Sequence, residues 1–447
     1  MTLGWSLQQV ADATGGTVHA ADATAPLVTS VGIDSRASGP GELFVAIAGE
    51  SFDGHDFAAA ALGAGAVAAV VRRQAGWPAA MPRIEVDDTG AALRDLAAWH
   101  RSAMTIPVVA VTGSTGKTST KDLLAAALPG AHASPRSYNN EVGVPLTVLG
   151  TPGTARHLVL EVGSRGRGHI AWLGPAVAPD VAVVTNLGVV HLETFGTTAD
   201  LADAKFELVE LLGPAGTAVL PAAETRLHRP HRGVTVTFGP GPGADVAVSG
   251  LTLDAGARPS FRLETQVGSA ELTLPVPGAH QALNAAAATA AGIALGVPLA
   301  DLVAGLERVQ ASPWRMEIHQ GRFTVVNDAY NANPDSVLAA LEAVAAMPGR
   351  SIAVLGRMAE LGPVEAEEHR RMGAEARRLG FTTVVVVGDD PGIAEGAGDI
   401  ALPAADPVSA RRLVGERAGS GDVVLVKASR AVGLETLAAA LAEDAAS

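Results

Sequence analysis

Cysteine is absent from the 447-residue chain. That excludes a disulfide framework and any thiolate metal site. Aromatic residues are scarce, with nine Phe, five Trp and two Tyr against 51 Gly. Alanine is abundant, so helices are expected to pack closely through small side chains. Basic charge is in deficit: 32 Lys and Arg face 46 Asp and Glu, a formal net charge of -14. A nucleic-acid partner is excluded on that ground, because neutralising phosphates needs a basic surface. The opening "MTLGWSLQQVADATGG" has neither a basic stretch nor an apolar run behind it, so it is not expected to be a signal peptide. Ser6 and Gln9 read instead as the reciprocal pair of a capping box that opens a helix. Long hydrophobic runs are also missing. "FAAAALGAGAVAAVV" at 57–71 is mostly alanine, contains two glycines and falls short of a bilayer span of ~20 residues. Its last part reads as a buried strand. A cytoplasmic protein without a membrane span is expected.

The chain is too long for one ordinary core, and about three domains are expected. Residues 1–104 alternate short helices with strands such as "LFVAI" (43–47) and "RIEVDD" (83–88), and end in the helical "ALRDLAAWHRSA" (92–103). Residues 105–313 carry near-continuous apolar strands at 108–111, 157–162 and 180–187, each followed by a polar loop. Such strands predict a parallel sheet buried on both faces, with its ligand site at the strands' C-terminal ends. The Gly/Pro-rich "FGPGPGADVAVSG" (238–250) is predicted to interrupt this pattern; the alternating segments after it predict an antiparallel addition at one edge. An alanine-rich helix is predicted over 281–296. Residues 314–447 begin a second set of apolar strands separated by helices, which predicts a doubly wound, Rossmann-like C-terminal domain. The class is therefore α/β throughout.

The stretch "PVVAVTGSTGKTST" (107–120) joins a buried strand to a Ser/Thr-rich helix start through a glycine turn. This is how a protein builds a phosphate site, because backbone N–H groups and the positive end of the helix dipole face the anion. Gly113, Ser114, Thr115, Gly116, Lys117, Thr118 and Ser119 form the candidate nucleotide loop. Lys117 would reach the outer phosphates and the Thr118 hydroxyl would bind Mg²⁺. In the common pattern the first glycine stands at the position of Val111; here it comes two residues later, at 113. Glu161 ends the apolar run "HLVLEV", where an isolated buried carboxylate would be costly without a cation. A Mg²⁺ shared with Thr118 and nucleotide phosphates would supply one. His191 and Lys205 lie in "TNLGVVHLETFGTTADLADAKFELV" (185–209), downstream of a further strand.

Together these stretches resemble the Mur ligase family, whose phosphate loop has the form "TGSTGKTST" and whose third segment opens T-N-x-x-x-x-H-L-E and closes A-K-x-E. "GAHQALNAAAA" (278–288) and "WRMEI" (314–318) are similar to further family segments. The resemblance implies that Asn284, Arg315 and Asp328 contact ATP. It also implies that Lys205 carries CO₂ as a carbamate. A free lysine amine, with pKa ~10.4, would place a positive charge beside the metals, whereas a carbamate reverses that charge and offers oxygens. One Mg²⁺ would then sit on Thr118 and Glu161, and another near His191 and Lys205, with Lys117, Glu161, His191 and Lys205 as the catalytic set.

Two segments point to the substrates. "VGIDSRASGPGELFVAIAGESFDGHDF" (31–57) resembles the family's domain for the UDP end of a muramoyl-peptide, with Ser35 and Arg36 in its D-S/T-R turn; folylpolyglutamate synthetases, the related alternative, lack it. "RSYNNEVGVPLTVL" (136–149) is similar to a further family segment, and the resemblance implies that Asn139 and Asn140 contact the same substrate. "VVNDAYNANPDS" (325–336) resembles the signature of family members that add D-alanyl-D-alanine to UDP-N-acetylmuramoyl-tripeptide, with Tyr330, Asn331 and Asn333 beside the dipeptide. The resemblance implies a monomeric, ATP-dependent, ADP-forming amide ligase of peptidoglycan precursor synthesis. A nucleotide-binding relative without catalysis is the other class to weigh, and the presence of Lys117, Glu161, His191 and Lys205 argues against it. The sequence departs from the family pattern at Arg357, where aspartate is frequent, at Ala428, where glycine is usual, and at Val162-Gly163-Ser164.

Overall fold

A computed structural model describes residues 3–19, 27–49, 52–74, 76–188, 195 and 197–446, and among them twenty strands with helices between them. The strands are β1 (Thr17–His19), β2 (Ser30–Gly32), β3 (Glu42–Val45), β4 (Ala68–Arg72) and β5 (Arg83–Val86) in the first sheet. The order is β1-β5-β4-β3-β2, parallel except for β1. The alanine-rich 57–71 stretch divides between the helix Ala58–Gly63 and β4, so its last part is the buried strand that its composition predicts. Ser6 and Gln9 form the capping box on the helix Leu7–Thr14. Asp88 caps the helix Thr89–Ser102 by accepting from the backbone N–H groups of Gly90 and Ala91. That helix buries Leu93 and Leu96 in a core continuous with Val144, Val148 and Leu173 of the central region. Each such leucine contributes roughly 1.5–3 kcal/mol of burial, and Leu96→Ala would loosen the junction.

The second sheet holds β6 (Val108–Thr112), β7 (Ala131–Ala133), β8 (His157–Glu161), β9 (Val181–Val184), β10 (Thr217–Pro221), β11 (Val234–Pro240), β12 (Val246–Leu253), β13 (Pro259–Thr265) and β14 (Gly268–Thr273). Its order is β14-β13-β12-β11-β10-β9-β6-β8-β7. β6 lies between β8 and β9, parallel to both, and is buried along its whole length, as an all-apolar strand requires. The expected interruption at 238–250 is not there. β11 and β12 run through the Gly/Pro-rich segment and pair as neighbours, leaving only 241–245 as a turn. Gly241 takes a positive φ of 72° in that turn, and the Asp245 carboxylate fastens it by accepting from the Thr237 backbone N–H and hydroxyl. The antiparallel addition is β12-β13-β14, as the alternation predicts. The helix Gln281–Ala294 packs its alanines against the helix Lys117–Ala127, with small side chains allowing close approach.

The third sheet is β15 (Glu317–His319), β16 (Thr324–Asn327), β17 (Ser351–Gly356), β18 (Thr383–Val387), β19 (Ala401–Ala404) and β20 (Val423–Lys427), in the order β15-β16-β20-β17-β18-β19. All pairs are parallel except β15 with β16. Placing β20 between β16 and β17 brings the segments after residues 327, 356 and 427 to one edge. Ala428 packs there against Gly356, whose added Cβ would lie 2.9 Å from the Ala428 methyl. The glycine missing at 428 is thus matched by one at 356. Arg357 pairs with Glu365 at the surface. Among the described residues no helix is long and apolar enough to cross a membrane.

Candidate active site

β6 ends in the glycine turn, and the turn's conformation explains the shifted glycine spacing. Gly113 has φ 143°, and an added Cβ would lie 2.0 Å from the Thr185 hydroxyl. Gly116 has φ 77°, and a Cβ there would meet the Asn284 side-chain oxygen at 2.6 Å. Both positions need glycine for conformation and for space. The end of β9 holds the loop from behind. Thr185 donates its hydroxyl to the Thr115 carbonyl at 2.5 Å, and Asn186 accepts from the Thr115 N–H at 2.9 Å. The helix Lys117–Ala127 starts here, so its first N–H groups face the cleft. Lys117 Nζ donates to the carbonyls of Gly113 (2.7 Å) and Ser114 (3.1 Å). Burial pulls its pKa down, and the nearby Glu161 carboxylate partly opposes that shift.

Glu161, at the end of β8, is 1% exposed. Its two oxygens accept from the Thr118 hydroxyl (2.8 Å) and the Asn139 amide (2.7 Å). Both donors are neutral. A buried carboxylate beside a hydroxyl, with no ion-pair partner in direct contact among the described residues, fits a hard divalent cation completed by phosphate oxygens. Among the described residues no three His, Cys, Asp or Glu side chains cluster as a metal site.

Lys205 projects from the helix Thr198–Glu210 and is 1% exposed. Its Nζ donates to the Ser164 hydroxyl at 2.9 Å and lies 5.7 Å from the centre of the Phe195 ring. Burial, and then the like charge of Lys117, hold its pKa well below the ordinary lysine value. The amine is therefore held toward its neutral form. His191 lies outside the described residues.

The third sheet supplies the opposite wall. Arg315 donates from Nη2 to the Thr118 hydroxyl at 2.8 Å, and its guanidinium stacks 4.3 Å from the Tyr330 ring centre. Its neighbours Trp314 and Met316 have φ of 61° and 53°, a left-handed conformation unusual for side-chain-bearing residues. Asp328 accepts from Lys427 Nζ at 2.6 Å and from the Met316 N–H at 3.1 Å. Lys427 also donates to the Asn331 carbonyl at 2.8 Å, pinning the loop after β16. Asn333 caps the helix Pro334–Ala345. The Asn284 amide donates to Gln281 at 2.9 Å. Burial lowers the pKa of His280, which stands at the start of the helix Gln281–Ala294.

Apart from Gly113, Phe195 and Trp314, which stand just outside its lining, these described groups line one cleft of about 700 Å³, with Ser119 in the loop and Asn140 at its rim. The Asn140 side chain accepts from the Gly143 N–H at 2.8 Å, at the start of the helix Gly143–Leu149. Asn139 serves Glu161, so its amide is engaged inside the site. Ser35 and Arg36 are not part of this cleft. They sit in an exposed turn of the first sheet, where Arg36 forks onto Asp34 at 2.8 and 2.7 Å. Sequence reading gives no site role to Thr185, Asn186, Ser164 and Lys427, although the first three stand in motifs that it quotes. The signal for Lys427 is a charged residue ending the apolar run "DVVLVK"; Thr185 and Asn186 end another such run.

Three family models match the chain: the Mur ligase middle domain over residues 111–292, the Mur ligase glutamate ligase domain over 314–430, and the Mur ligase family catalytic domain over 27–101. The UDP-N-acetylmuramoyl-tripeptide–D-alanyl-D-alanine ligase of Mycobacterium leprae is 38% identical, with 93% of each chain covered. The crystal structure of MurF from Acinetobacter baumannii superposes with a TM-score of 0.91 at 30% identity, covering 99% of each chain. The MurF ligase from Thermotoga maritima in complex with ADP superposes with a TM-score of 0.84 at 29% identity, covering 93% of this chain and 97% of that one. Phosphate loop, buried carboxylate, buried lysine and full-length similarity agree: the chain belongs to the Mur ligase family.

Proposed function

We propose that this protein joins D-alanyl-D-alanine to UDP-N-acetylmuramoyl-tripeptide at the expense of ATP, releasing ADP and phosphate, in the cytoplasmic synthesis of peptidoglycan precursors. The observation that carries the reading is the single cleft in which the phosphate loop, the Thr118–Glu161 pair and buried Lys205 face the loop 328–333. A carboxylate is unreactive toward an amine until an oxygen becomes part of a good leaving group. The tripeptide's terminal carboxylate attacks the γ-phosphorus, the bond to ADP breaks, and an acyl phosphate forms. The dipeptide amine then attacks the acyl carbon, the acyl carbon–oxygen bond breaks, and phosphate leaves while the nitrogen gives up its proton.

Lys117 and the first N–H groups of its helix would bind the outer phosphates and disperse their charge. Thr118 and Glu161 would hold Mg²⁺, which neutralises phosphate charge when bound. Asp328 and Asn284 would orient the nucleoside, and Arg315 the transferring phosphate. We assign a carbamate to Lys205, with His191 beside a second metal. In support, a neutral amine is the form that attacks CO₂, and this one is depressed by burial. Residues 1–104, 105–313 and 314–447 would act as acceptor, nucleotide and dipeptide units, with the UDP end near Ser35 and Arg36. ADP release by the purified protein tests the reading. It should require ATP, UDP-muramoyl-tripeptide and D-alanyl-D-alanine together; equal release without either peptide substrate would refute it.

A further inference from the structure

A second hollow, of about 400 Å³, opens beside the main cleft and shares with it Asn331, Asn333, Glu360 and Arg430. Its walls are three loops of the third sheet tied through Ser429. That hydroxyl accepts from the Ala359 N–H at 2.8 Å and donates to the Ala332 carbonyl at 3.3 Å. Glu360 takes a φ of 65°, a left-handed conformation rare for a residue with a side chain, at the rim between the two hollows.

The geometry points to Arg430 as the group that binds the terminal carboxylate of the incoming dipeptide, with the side hollow as its seat; this rests on the ligase reading above. D-Alanyl-D-alanine offers only methyl side chains, so its carboxylate is the strongest handle it has, and guanidinium matches that group bidentately. The other cations of this wall are committed. Lys427 is buried on Asp328 and the Asn331 carbonyl. Arg315 reaches across to Thr118. Arg430 is half exposed, 51% by side chain, and Glu435 holds one edge of it at 3.0 Å. Its plane is set by stacking 4.7 Å from the Trp314 ring centre. A carboxylate seated there directs the dipeptide's amine end back past Asn331 and Asn333 into the main cleft, where the acyl group would wait. Trp314 adjoins Arg315, so the same short segment touches both the dipeptide clamp and the phosphate loop.

The test compares kcat/KM for D-alanyl-D-alanine and for its C-terminal amide in the native protein, Arg430→Lys and Arg430→Met. The native protein should disfavour the amide by about 10–100-fold, the size of one charged hydrogen-bonded contact. Arg430→Met should lower use of the acid by a similar factor, leave the amide unchanged and bring their ratio near one, with the KM for ATP constant. Arg430→Lys should fall between, since a point charge replaces a fork. An acid-to-amide ratio that survives in Arg430→Met, or a native protein indifferent to the amide, overturns the assignment. A native protein that does not use D-alanyl-D-alanine at all overturns the ligase reading on which it rests.

Discussion

The phosphate loop and the Asp34–Arg36 turn differ in how their functional groups are held. In the loop, Lys117, Thr118 and Glu161 are held by hydrogen bonds to Gly113, Ser114, Asn139, Arg315 and one another inside the cleft. In the turn, Arg36 is exposed and its one carboxylate partner lies two residues away. Ordering inside a low-dielectric cleft makes charge useful for catalysis, because each interaction is strong and prepaid. An exposed turn has no such support, so it suits recognition that forms only when a ligand completes it. The first region should therefore respond to substitution by losing rate, the second by losing affinity for one substrate.

The largest effect should come from Lys205. Lys205→Ala and Lys205→Arg should both lower kcat, by ~10²–10³-fold or more, since neither can form a carbamate. Acetate or formate should restore part of the activity of Lys205→Ala in a steady-state assay and none of that of Lys117→Ala. Full activity in Lys205→Arg would mean that only the positive charge matters, and the comparison would lose its sharpest point.

A buried titratable group far from the cleft should act on stability instead. His100 is 4% exposed and stacks edge-on to Trp5, and burial lowers its pKa from 6.5 to about 4. The unfolded chain takes up a proton there before the folded one does. Its contribution is complete above pH 6.5, shrinks as the pH falls and is gone below about 4. It amounts to at most about 3 kcal/mol. Denaturation midpoints of His100→Leu should depend less steeply on pH between those limits than those of the native protein. Parallel slopes would remove the histidine from the account.

Asn139 offers a finer test within the cleft. As the hydrogen-bond partner of Glu161, its loss in Asn139→Ala should weaken Mg²⁺ affinity by about 10–100-fold, read as a higher Mg²⁺ concentration for half-maximal rate; the KM for the UDP-linked acceptor should be affected less. An acceptor effect larger than the metal effect would return Asn139 to the UDP site. Arg36→Ala should be the mildest, raising the KM for that acceptor by roughly tenfold while leaving the KM for ATP alone. Loss of ATP affinity instead would erase the division between the two regions.

The sequence is legible where a strand's burial and a residue's chemistry conflict. Glu161, a carboxylate ending an apolar run, carries that conflict; Lys117 is legible from its glycine-rich loop and Lys205 through the family resemblance, and the structure places all three in one cleft. Lys427 carries the same conflict, but its partner Asp328 is 99 residues away in the chain, a pairing that only the order β16-β20-β17 creates. The Gly/Pro-rich 238–250 misleads for a local reason. Glycine and proline report on single residues, whereas β11 and β12 are held by their neighbours in the sheet. Asn139 and Asn140 are readable as polar loop residues. Their engagement with Glu161 and with a helix start depends on how that loop folds over β8.

The central claim is that the acceptor's carboxylate is phosphorylated before the amide forms. The most direct measurement places a heavy-oxygen label in the terminal carboxylate of UDP-muramoyl-tripeptide and follows it through one turnover with ATP and D-alanyl-D-alanine. The account predicts that one labelled oxygen leaves in the inorganic phosphate and one stays in the new amide. Phosphate free of label, with amide formed, would contradict it.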